Sequence, residues 1–280
     1  MRDLSDIHTI VAQVTDKCPF DCKQCYTKRG HTFLLPLEAE RIIDSVFRNR
    51  NGLLQITGGE PLIYPYLDEL LLFCQKHNII TAIATSVYDC SMSRVKSLQK
   101  AGLNYFFVSL NGSTKEIHEK TRCGFNDALA AIKNAKMNGL SCFVNWVACE
   151  SNADDFPNMI SLCKEFGADA LYVLKKQADF SGNNEDYPSR EQINQIRLQI
   201  DRCTDFTIVV EKCYYELFQS NNMCAAGETS FYLDCNGKFS PCAKLFQLKY
   251  NSFDEMQADR DRWNELKKQR CNKLGETTCI

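Results

Sequence analysis

Six short apolar runs recur through the first 175 residues, separated by segments that carry apolar residues at helical spacing. Because each run is almost continuously apolar, it is typical of a parallel strand that is buried on both faces. The predicted strands cover residues 8–14, 53–57, 79–85, 105–110, 142–147 and 170–174. The segments between them predict helices over residues 37–48, 66–76, 92–101, 126–138 and 154–166.

The alternation of strands and helices ends after residue 174. Six such units fall short of the eight in a complete barrel, so we predict an α/β fold with a partial (β/α)6 TIM-like barrel. A polar linker or lid over 177–188, a helix over 189–203, a β-hairpin over 230–240 and a helix over 254–269 follow. We therefore divide the chain into the barrel (1–176), a linker and helix (177–223) and a small C-terminal hairpin and helix domain (224–280).

Composition excludes several classes of function. The 280 residues are 44% hydrophobic and 24% charged, which predicts a packed globular protein. The net charge is −2 and the basic residues are spread along the chain, so we expect no nucleic-acid partner. No apolar run approaches the roughly 20 residues that span a bilayer, and the polar N-terminus lacks the apolar core of a signal peptide. We predict a cytoplasmic protein without a membrane partner.

The chain contains sixteen cysteines, and in a reducing compartment this favours metal ligation over disulfides. Cys18, Cys22 and Cys25 have the spacing C-x3-C-x2-C and directly follow the first predicted strand. Three thiolates on one loop can hold three irons of a 4Fe–4S cluster and leave the fourth iron open for chemistry. A zinc site normally requires four ligands, often in pairs of C-x2-C, so zinc fits this motif poorly.

A second motif, Gly58-Gly59-Glu60-Pro61, follows the second predicted strand. Alone, it is compatible with an ordinary tight turn. Glycine is also the residue that allows the backbone to approach a ligand closely. Because the first two strands are followed by these two motifs, both are expected at the carboxyl edge of the sheet, where barrels carry out their chemistry.

With these two motifs, the chain resembles the radical S-adenosylmethionine (radical SAM) superfamily. The three cysteines match the signature of that family. The resemblance implies that the cofactor's methionyl amine and carboxylate chelate the open iron, and that one electron then cleaves the sulfonium to give a 5′-deoxyadenosyl radical. Gly58, Gly59, Glu60 and Pro61 resemble the family's GGEP motif, which engages the methionyl amine.

The resemblance also suggests further cofactor contacts, each of which has an ordinary structural explanation as a strand end or a solvated turn. Family members often carry an aromatic residue just before the third cysteine, where this chain has Gln24, and Tyr26 follows the cysteine instead. Relatives often have Thr-Asn-Gly after the third strand, where this chain has Thr85-Ser86-Val87. The predicted contacts to adenine, ribose or the cofactor carboxylate are Tyr26, Ser86, Ser109, Asn111 and Arg122.

The C-terminal cysteines form the last motif. The spacing of Cys224, Gly237 and Cys242 resembles the SPASM/twitch appendage of radical SAM enzymes, C-x(9–15)-G-x4-C. The resemblance implies a second, auxiliary 4Fe–4S cluster, for which we predict the ligands Cys224, Cys242, Cys271 and Cys279. Cys235 is an alternative to Cys279 and is otherwise a candidate hydrogen or proton donor. A four-thiolate zinc ribbon is the alternative to a cluster.

The resemblance implies a radical SAM oxidoreductase that abstracts hydrogen from an unactivated C–H bond. Family frequency favours a ribosomally synthesised peptide as substrate, with a crosslink, thioether or epimerisation as product, and we expect no N-terminal leader-peptide-binding domain. The alternatives are a small-molecule dehydrogenase of the aminocyclitol type and a non-catalytic iron–sulfur electron carrier. A flavodoxin or ferredoxin would supply electrons. The candidate catalytic residues are Cys235, Asp234 and Glu228.

Overall fold

The computed structural model describes residues 7–48, 51–177, 185–214, 217, 224–245 and 247–271, with backbone alone for 268–271. Its centre is a mostly parallel sheet whose strand order is β7-β6-β5-β4-β3-β2-β1-β8-β9. The strands are β1 (His8–Gln13), β2 (Gly52–Thr57), β3 (Ile80–Thr85), β4 (Tyr105–Ser109), β5 (Ser141–Ala148), β6 (Ala170–Lys175), β7 (Ile208–Val210), β8 (Ser230–Leu233) and β9 (Phe239–Ser240).

Helices follow most of the strands along the chain. They are α1 (Pro36–Phe47), α2 (Leu67–Lys76), α3 (Met92–Lys100), α4 (Lys115–His118), α5 (Phe125–Met137), α6 (Phe156–Glu165), α7 (Arg190–Arg202), α8 (Phe253–Ala258) and α9 (Arg260–Cys271). In the part of the chain that the structure describes, none of them is long and apolar enough to cross a membrane. The mostly parallel sheet and the helices between its strands confirm the predicted α/β fold class with its partial barrel.

The expectation that the strands are buried on both faces is wrong for one face. Alternate residues of β5 are completely buried in the core, whereas the residues between them are only half-buried. The half-buried face carries an aromatic group in which the ring centroid of Phe107 lies 4.9 Å from that of Phe143 and 5.0 Å from that of Tyr172. An incomplete barrel leaves its concave face accessible, and apolar side chains line it.

Two strand pairings extend the sheet beyond the six predicted strands. β7 pairs in parallel with β6 and lies in the stretch predicted as a linker. The predicted C-terminal hairpin is present as β8 and β9, but β8 also pairs in parallel with β1. The hairpin therefore continues the barrel sheet on the far side of β1. The division into three domains stays a prediction.

The single helix predicted over 254–269 is two helices, because the chain bends at Asp259. The Asp259 carboxylate accepts a 2.6 Å hydrogen bond from the Tyr250 hydroxyl. After the bend, the fully buried Trp263 donates its indole N–H to Met256 O at 3.0 Å. The first contact joins the bend to Tyr250, which pairs with Phe239 of the hairpin. The second joins α9 to α8 across the bend.

The strand order places the predicted motifs side by side. β1, β2, β3 and β4 are consecutive neighbours in the sheet, and all four run in the same direction. The segments that leave their carboxyl ends therefore meet at one edge of the sheet, which is where barrels of this kind carry their sites.

Candidate functional site

The cysteine loop, residues 17–25, follows β1 at the carboxyl edge of the sheet. Cys18, Cys22 and Cys25 are all reduced and half-buried, and Cys25 N donates to Cys22 O at 3.1 Å. Burial raises the pKa of Cys18 to about 11 and also raises the pKa of Cys22, although the Arg122 charge opposes the second shift. The Cys18 and Cys22 thiols are therefore protonated at neutral pH, and binding of a metal would release these two protons.

The donor chemistry of the loop fits an iron–sulfur cluster better than a single metal ion. In the described residues, no three side chains of His, Cys, Asp or Glu converge closely enough to hold one metal ion. A 4Fe–4S cluster has a different requirement, because each thiolate binds a separate iron at its own corner. Three half-buried thiols on one loop meet that requirement.

The Gly58–Glu60 segment packs directly against the cysteine loop. Gly59 N donates to Thr15 O at 2.7 Å, and Glu60 N donates to Lys17 O at 2.9 Å. A Cβ atom on Gly59 would lie 2.1 Å from Lys17 O, so only glycine fits this close approach. The two predicted motifs are thus in contact through their backbones, and Pro61 begins the short helical turn that follows.

Glu60 is fully buried and joins the ends of β2 and β3. One carboxylate oxygen accepts from Thr85 Oγ1 at 2.6 Å and from Leu62 N at 3.0 Å, and the other accepts from Ser86 N at 2.8 Å. Burial raises the pKa of this carboxyl group, and the three hydrogen bonds oppose the shift. The second oxygen retains acceptor capacity, so the contact of Glu60 with a methionyl amine stays a prediction.

The structure brings Ser86 and Arg122 together, as a shared role in carboxylate binding requires. Arg122 Nη1 donates to Ser86 Oγ at 3.3 Å, and the charge of Arg122 acts on both Cys22 and Glu60. Ser109 is half-buried at the end of β4. The cofactor roles of these three side chains stay predictions.

Asn111 lies deeper than a ribose-binding residue at the surface of a pocket would. It is completely buried, its Nδ2 donates to Thr121 Oγ1 at 2.9 Å, and its Oδ1 accepts from Val147 N at 3.2 Å. Both ends of the amide therefore have protein partners. In this position Asn111 braces the segment between β4 and α5, and its predicted contact with ribose stays untested.

His118 is a structural residue of the site that sequence reasoning missed. It is completely buried; its Nδ1 accepts from Asn111 N at 3.1 Å and its Nε2 lies 3.2 Å from Cys123 O. These partners fit the neutral ring with its proton on Nε2, and burial lowers the pKa of His118 to about 4. A single histidine at the end of the short helix α4 gives no spacing signal, so the sequence offered no indication of this role.

We expect the protein to lose about 2 kcal/mol of stability between pH 7 and pH 5 through His118 alone. The unfolded chain binds the proton with a pKa of about 6.5, whereas the folded ring has a pKa of about 4. Between these values the unfolded state binds more protons, so stability falls as the pH falls. Urea unfolding of the wild type and of His118→Gln at both pH values measures the difference, which the variant should lack.

His77→Gln is the matched control for this measurement, because His77 is exposed on the end of α2. It should keep the pH dependence of the wild type. The explanation is wrong if His118→Gln and His77→Gln lose stability equally on acidification.

A second group of cysteines lies near β8 and β9. Cys224 and Cys242 are half-buried, burial raises the pKa of Cys242, and Cys242 Sγ accepts from Lys244 N at 3.4 Å. Lys244 Nζ also lies 3.1 Å from a Glu211 carboxylate oxygen and contacts Cys213 Sγ. Cys213 has no ligand spacing in the sequence, but through Lys244 it lies near Cys242, which is a predicted ligand. The Cys271 side chain and all of Cys279 lie outside the described residues.

Tyr26 lies between the two groups of cysteines. Its side chain is 42% exposed, and the charges of Lys244, Glu211 and Cys242 act on its hydroxyl. Its predicted contact with adenine stays a prediction.

Two of the three candidate catalytic residues are held in ion pairs. Asp234 accepts from Asn236 N and Lys238 N in the hairpin turn and pairs with Lys249 at 2.6 Å. Glu228 pairs with Arg260. Cys235 is 4% exposed in the same turn, and burial raises its pKa to about 11. The catalytic roles of Cys235, Asp234 and Glu228 stay predictions.

Comparison with known proteins identifies relatives in sequence. PqqA peptide cyclase of Ruegeria pomeroyi is 26% identical over 277 residues, which cover 91% of this chain and 73% of that protein. Pre-heme d1 synthase of Dinoroseobacter shibae is 23% identical over 173 residues. That alignment covers 59% of this chain and only 42% of the synthase, so the chain spans less than half the length of that relative.

The fold is also found among solved structures. The crystal structure of Streptococcus suis SuiB bound to precursor peptide SuiA has a TM-score of 0.76 and 20% identity, covering 91% of this chain and 65% of SuiB. At this level of identity the likeness shows a common fold. Residues 12–163, which contain every motif from the cysteine loop to Arg122, match the model of the Radical SAM superfamily. The chain therefore belongs to the radical SAM superfamily.

Proposed function

We propose that this chain is a radical SAM enzyme that uses the Cys18, Cys22 and Cys25 thiolates to bind its catalytic 4Fe–4S cluster. Membership of the superfamily implies such a cluster and S-adenosylmethionine. The observation that carries the assignment to these residues is the contact between motifs: the Gly58–Glu60 backbone is hydrogen-bonded to Thr15 and Lys17, immediately before Cys18. Both motifs thus face one site at the carboxyl edge of the sheet.

When bound, the cluster and S-adenosylmethionine supply a 5′-deoxyadenosyl radical that abstracts hydrogen from an unactivated C–H bond. The protein's own residues bind and orient these groups. The Gly58–Glu60 segment, held against the cysteine loop, would receive the methionyl amine, and Ser86 and Arg122 its carboxylate. The aromatic residues Phe107, Phe143 and Tyr172 line the concave face and would exclude water from a reactive intermediate.

A ribosomally synthesised peptide is the proposed substrate, and a crosslink, thioether or epimerisation is the proposed product. Two relatives support this class: PqqA peptide cyclase aligns over 91% of this chain, and SuiB was solved with a precursor peptide bound. The half-buried concave face, which the open barrel leaves accessible, is compatible with an extended chain entering from the side.

An auxiliary 4Fe–4S cluster near β8 and β9 completes the proposal, with Cys224, Cys242, Cys271 and Cys279 as ligands. Cys224 and Cys242 are half-buried on either side of the hairpin. Since β8 pairs with β1, this position is next to the strand that leads into the cysteine loop. The auxiliary cluster would accept the electron left after oxidation or orient the substrate, and a flavodoxin or ferredoxin would reduce the first cluster.

Anaerobic reconstitution with iron and sulfide, followed by S-adenosylmethionine and dithionite, tests the proposed activity. We expect 5′-deoxyadenosine to form, and a peptide encoded beside the gene to lose two hydrogen atoms or to take up deuterium from D2O. A loaded cluster without any 5′-deoxyadenosine would favour a non-catalytic electron carrier. Conversion of an aminocyclitol, with the peptide unchanged, would favour a small-molecule dehydrogenase.

A further inference from the structure

Gln24 differs from the rest of the cysteine loop in its burial. Its side chain is 7% exposed, whereas Cys22 and Cys25 are half-buried and Lys23 is exposed. A long polar side chain is stable in such a position only if its amide is fully hydrogen-bonded. Gln24 occupies the place where family members often carry an aromatic residue, so an apolar packing role does not explain it.

The hydrogen-bond partners of the Gln24 amide all lie in the segment that follows β4. The hydrogen-bond network assigns the orientation of the amide: with Oε1 facing the donors, Nε2 donates to Thr121 O at 2.6 Å and Oε1 accepts from Asn111 Nδ2 at 3.0 Å. The same oxygen accepts from Arg122 Nε at 3.1 Å and Arg122 Nη2 at 3.0 Å. Next to it, Lys23 N donates to Thr121 O at 2.9 Å. The cysteine loop is therefore attached to the Thr121–Arg122 turn at two consecutive residues.

These contacts fix the orientation of the Arg122 guanidinium. Gln24 takes two of its N–H groups, and Ser86 Oγ takes a third at 3.3 Å. A guanidinium has five N–H groups, so two remain without a partner among the described residues. Because the three occupied groups hold the plane of the guanidinium, the remaining two have a defined direction and suit a carboxylate.

The neutrality of the Gln24 amide is part of the arrangement. A carboxylate in the same place would pair with Arg122 and cancel its charge. An amide oxygen accepts the same two N–H groups and leaves the positive charge available to an anionic ligand. The Arg122 charge also acts on Cys22 and on Glu60, so it is close to both motifs.

We propose that Gln24 is a positioning residue, which orients Arg122 from within the cysteine loop so that Arg122 can bind the carboxylate of S-adenosylmethionine. This rests on the proposed function. It couples the loop that carries the three cysteines to the group that recognises the cofactor's amino-acid moiety. A phenylalanine at this position would have no acceptor and could not perform this role.

Gln24→Leu removes the acceptor with little change in volume and is the main test. In the reconstituted protein we expect the iron content of the wild type and a Kd for S-adenosylmethionine about tenfold higher. Binding of 5′-methylthioadenosine, which lacks the amino-acid moiety, should not change. In an Arg122→Met background, Gln24→Leu should have no further effect on S-adenosylmethionine binding, because its effect acts through Arg122.

Two further variants keep the test decisive. Lys23→Gln changes the exposed neighbour in the same loop and should bind the cofactor like the wild type. Gln24→Glu keeps the shape and the acceptor, so its Kd for S-adenosylmethionine can be measured instead if Gln24→Leu fails to retain its cluster. It should also weaken S-adenosylmethionine binding, because the introduced carboxylate neutralises Arg122.

Three results would overturn the positioning role. They are an unchanged Kd in both Gln24 variants, equal loss of binding for S-adenosylmethionine and 5′-methylthioadenosine, or additive effects of Gln24→Leu and Arg122→Met. Failure of the proposed function is distinguished by the wild type itself, which would then bind a cluster and still produce no 5′-deoxyadenosine.

Discussion

Replacing Cys22 with alanine is expected to abolish the formation of 5′-deoxyadenosine and to remove the open-iron cluster. Each cysteine of the loop would bind a separate iron, so the loss of one thiolate leaves a corner of the cluster without a protein ligand. The fold should survive, because Cys22 is a half-buried loop residue outside every strand and helix. Iron analysis, the electron paramagnetic resonance spectrum of the reduced protein and product chromatography measure the result.

Cys203→Ala is the matched control for this variant. Cys203 is also half-buried, ends α7 and contacts Phe206 O through its thiol, and it belongs to neither group of predicted ligands. This variant should retain both its iron and its activity. Wild-type levels of 5′-deoxyadenosine from Cys22→Ala would show that the catalytic cluster is not bound by this loop.

The parts of the fold that the sequence predicted are those with local signals. Each of the six strands begins and ends within one residue of its predicted bounds, since short apolar runs bounded by turn residues carry that information. The helix α1 begins at Pro36, as its fixed φ favours. The helix α5 ends at Met137, and Gly139 follows its capping residue with φ +72. Glycine in this conformation commonly ends a helix, so the sequence predicted this helix end correctly.

The parts that escaped prediction depend on contacts between distant residues. The pairing of β8 with β1 joins residues 230–233 to residues 9–12, and no local pattern specifies such a partner. β7 has only three half-buried residues, too few for a periodic signal. The same limit applies to the site, because the partners of Gln24 and His118 are set by the loop that returns after β4.

The candidate site shows the same division. The cysteine loop and Gly58–Glu60 were recognisable because close spacing or consecutive glycines reflect one local requirement each. Cys213 was not, because its relation to Cys242 runs through Lys244, which contacts both cysteines. Spacing rules detect ligands that lie on one loop, and they miss a residue that the fold adds from another element.

Replacing Cys242 with alanine is expected to lower the iron content from about eight to about four atoms per chain. The proposed auxiliary cluster would lose one of its ligands, whereas the cluster of the cysteine loop would remain. Formation of 5′-deoxyadenosine without substrate should therefore persist, and conversion of the peptide should fail. Iron and sulfide analysis, together with the two product assays, separates these effects.

Alanine variants of Cys213, Cys235 and Cys279 extend this experiment to the fourth ligand. The proposed ligand set requires Cys279→Ala to lose about four irons and Cys235→Ala to lose none, since Cys235 lies buried in the hairpin turn. Loss of iron from Cys213→Ala would instead assign a ligand that the fold places beside Lys244. An iron content of about four in the wild type would rule out an auxiliary 4Fe–4S cluster, and bound zinc would assign the C-terminal cysteines to a four-thiolate zinc ribbon instead.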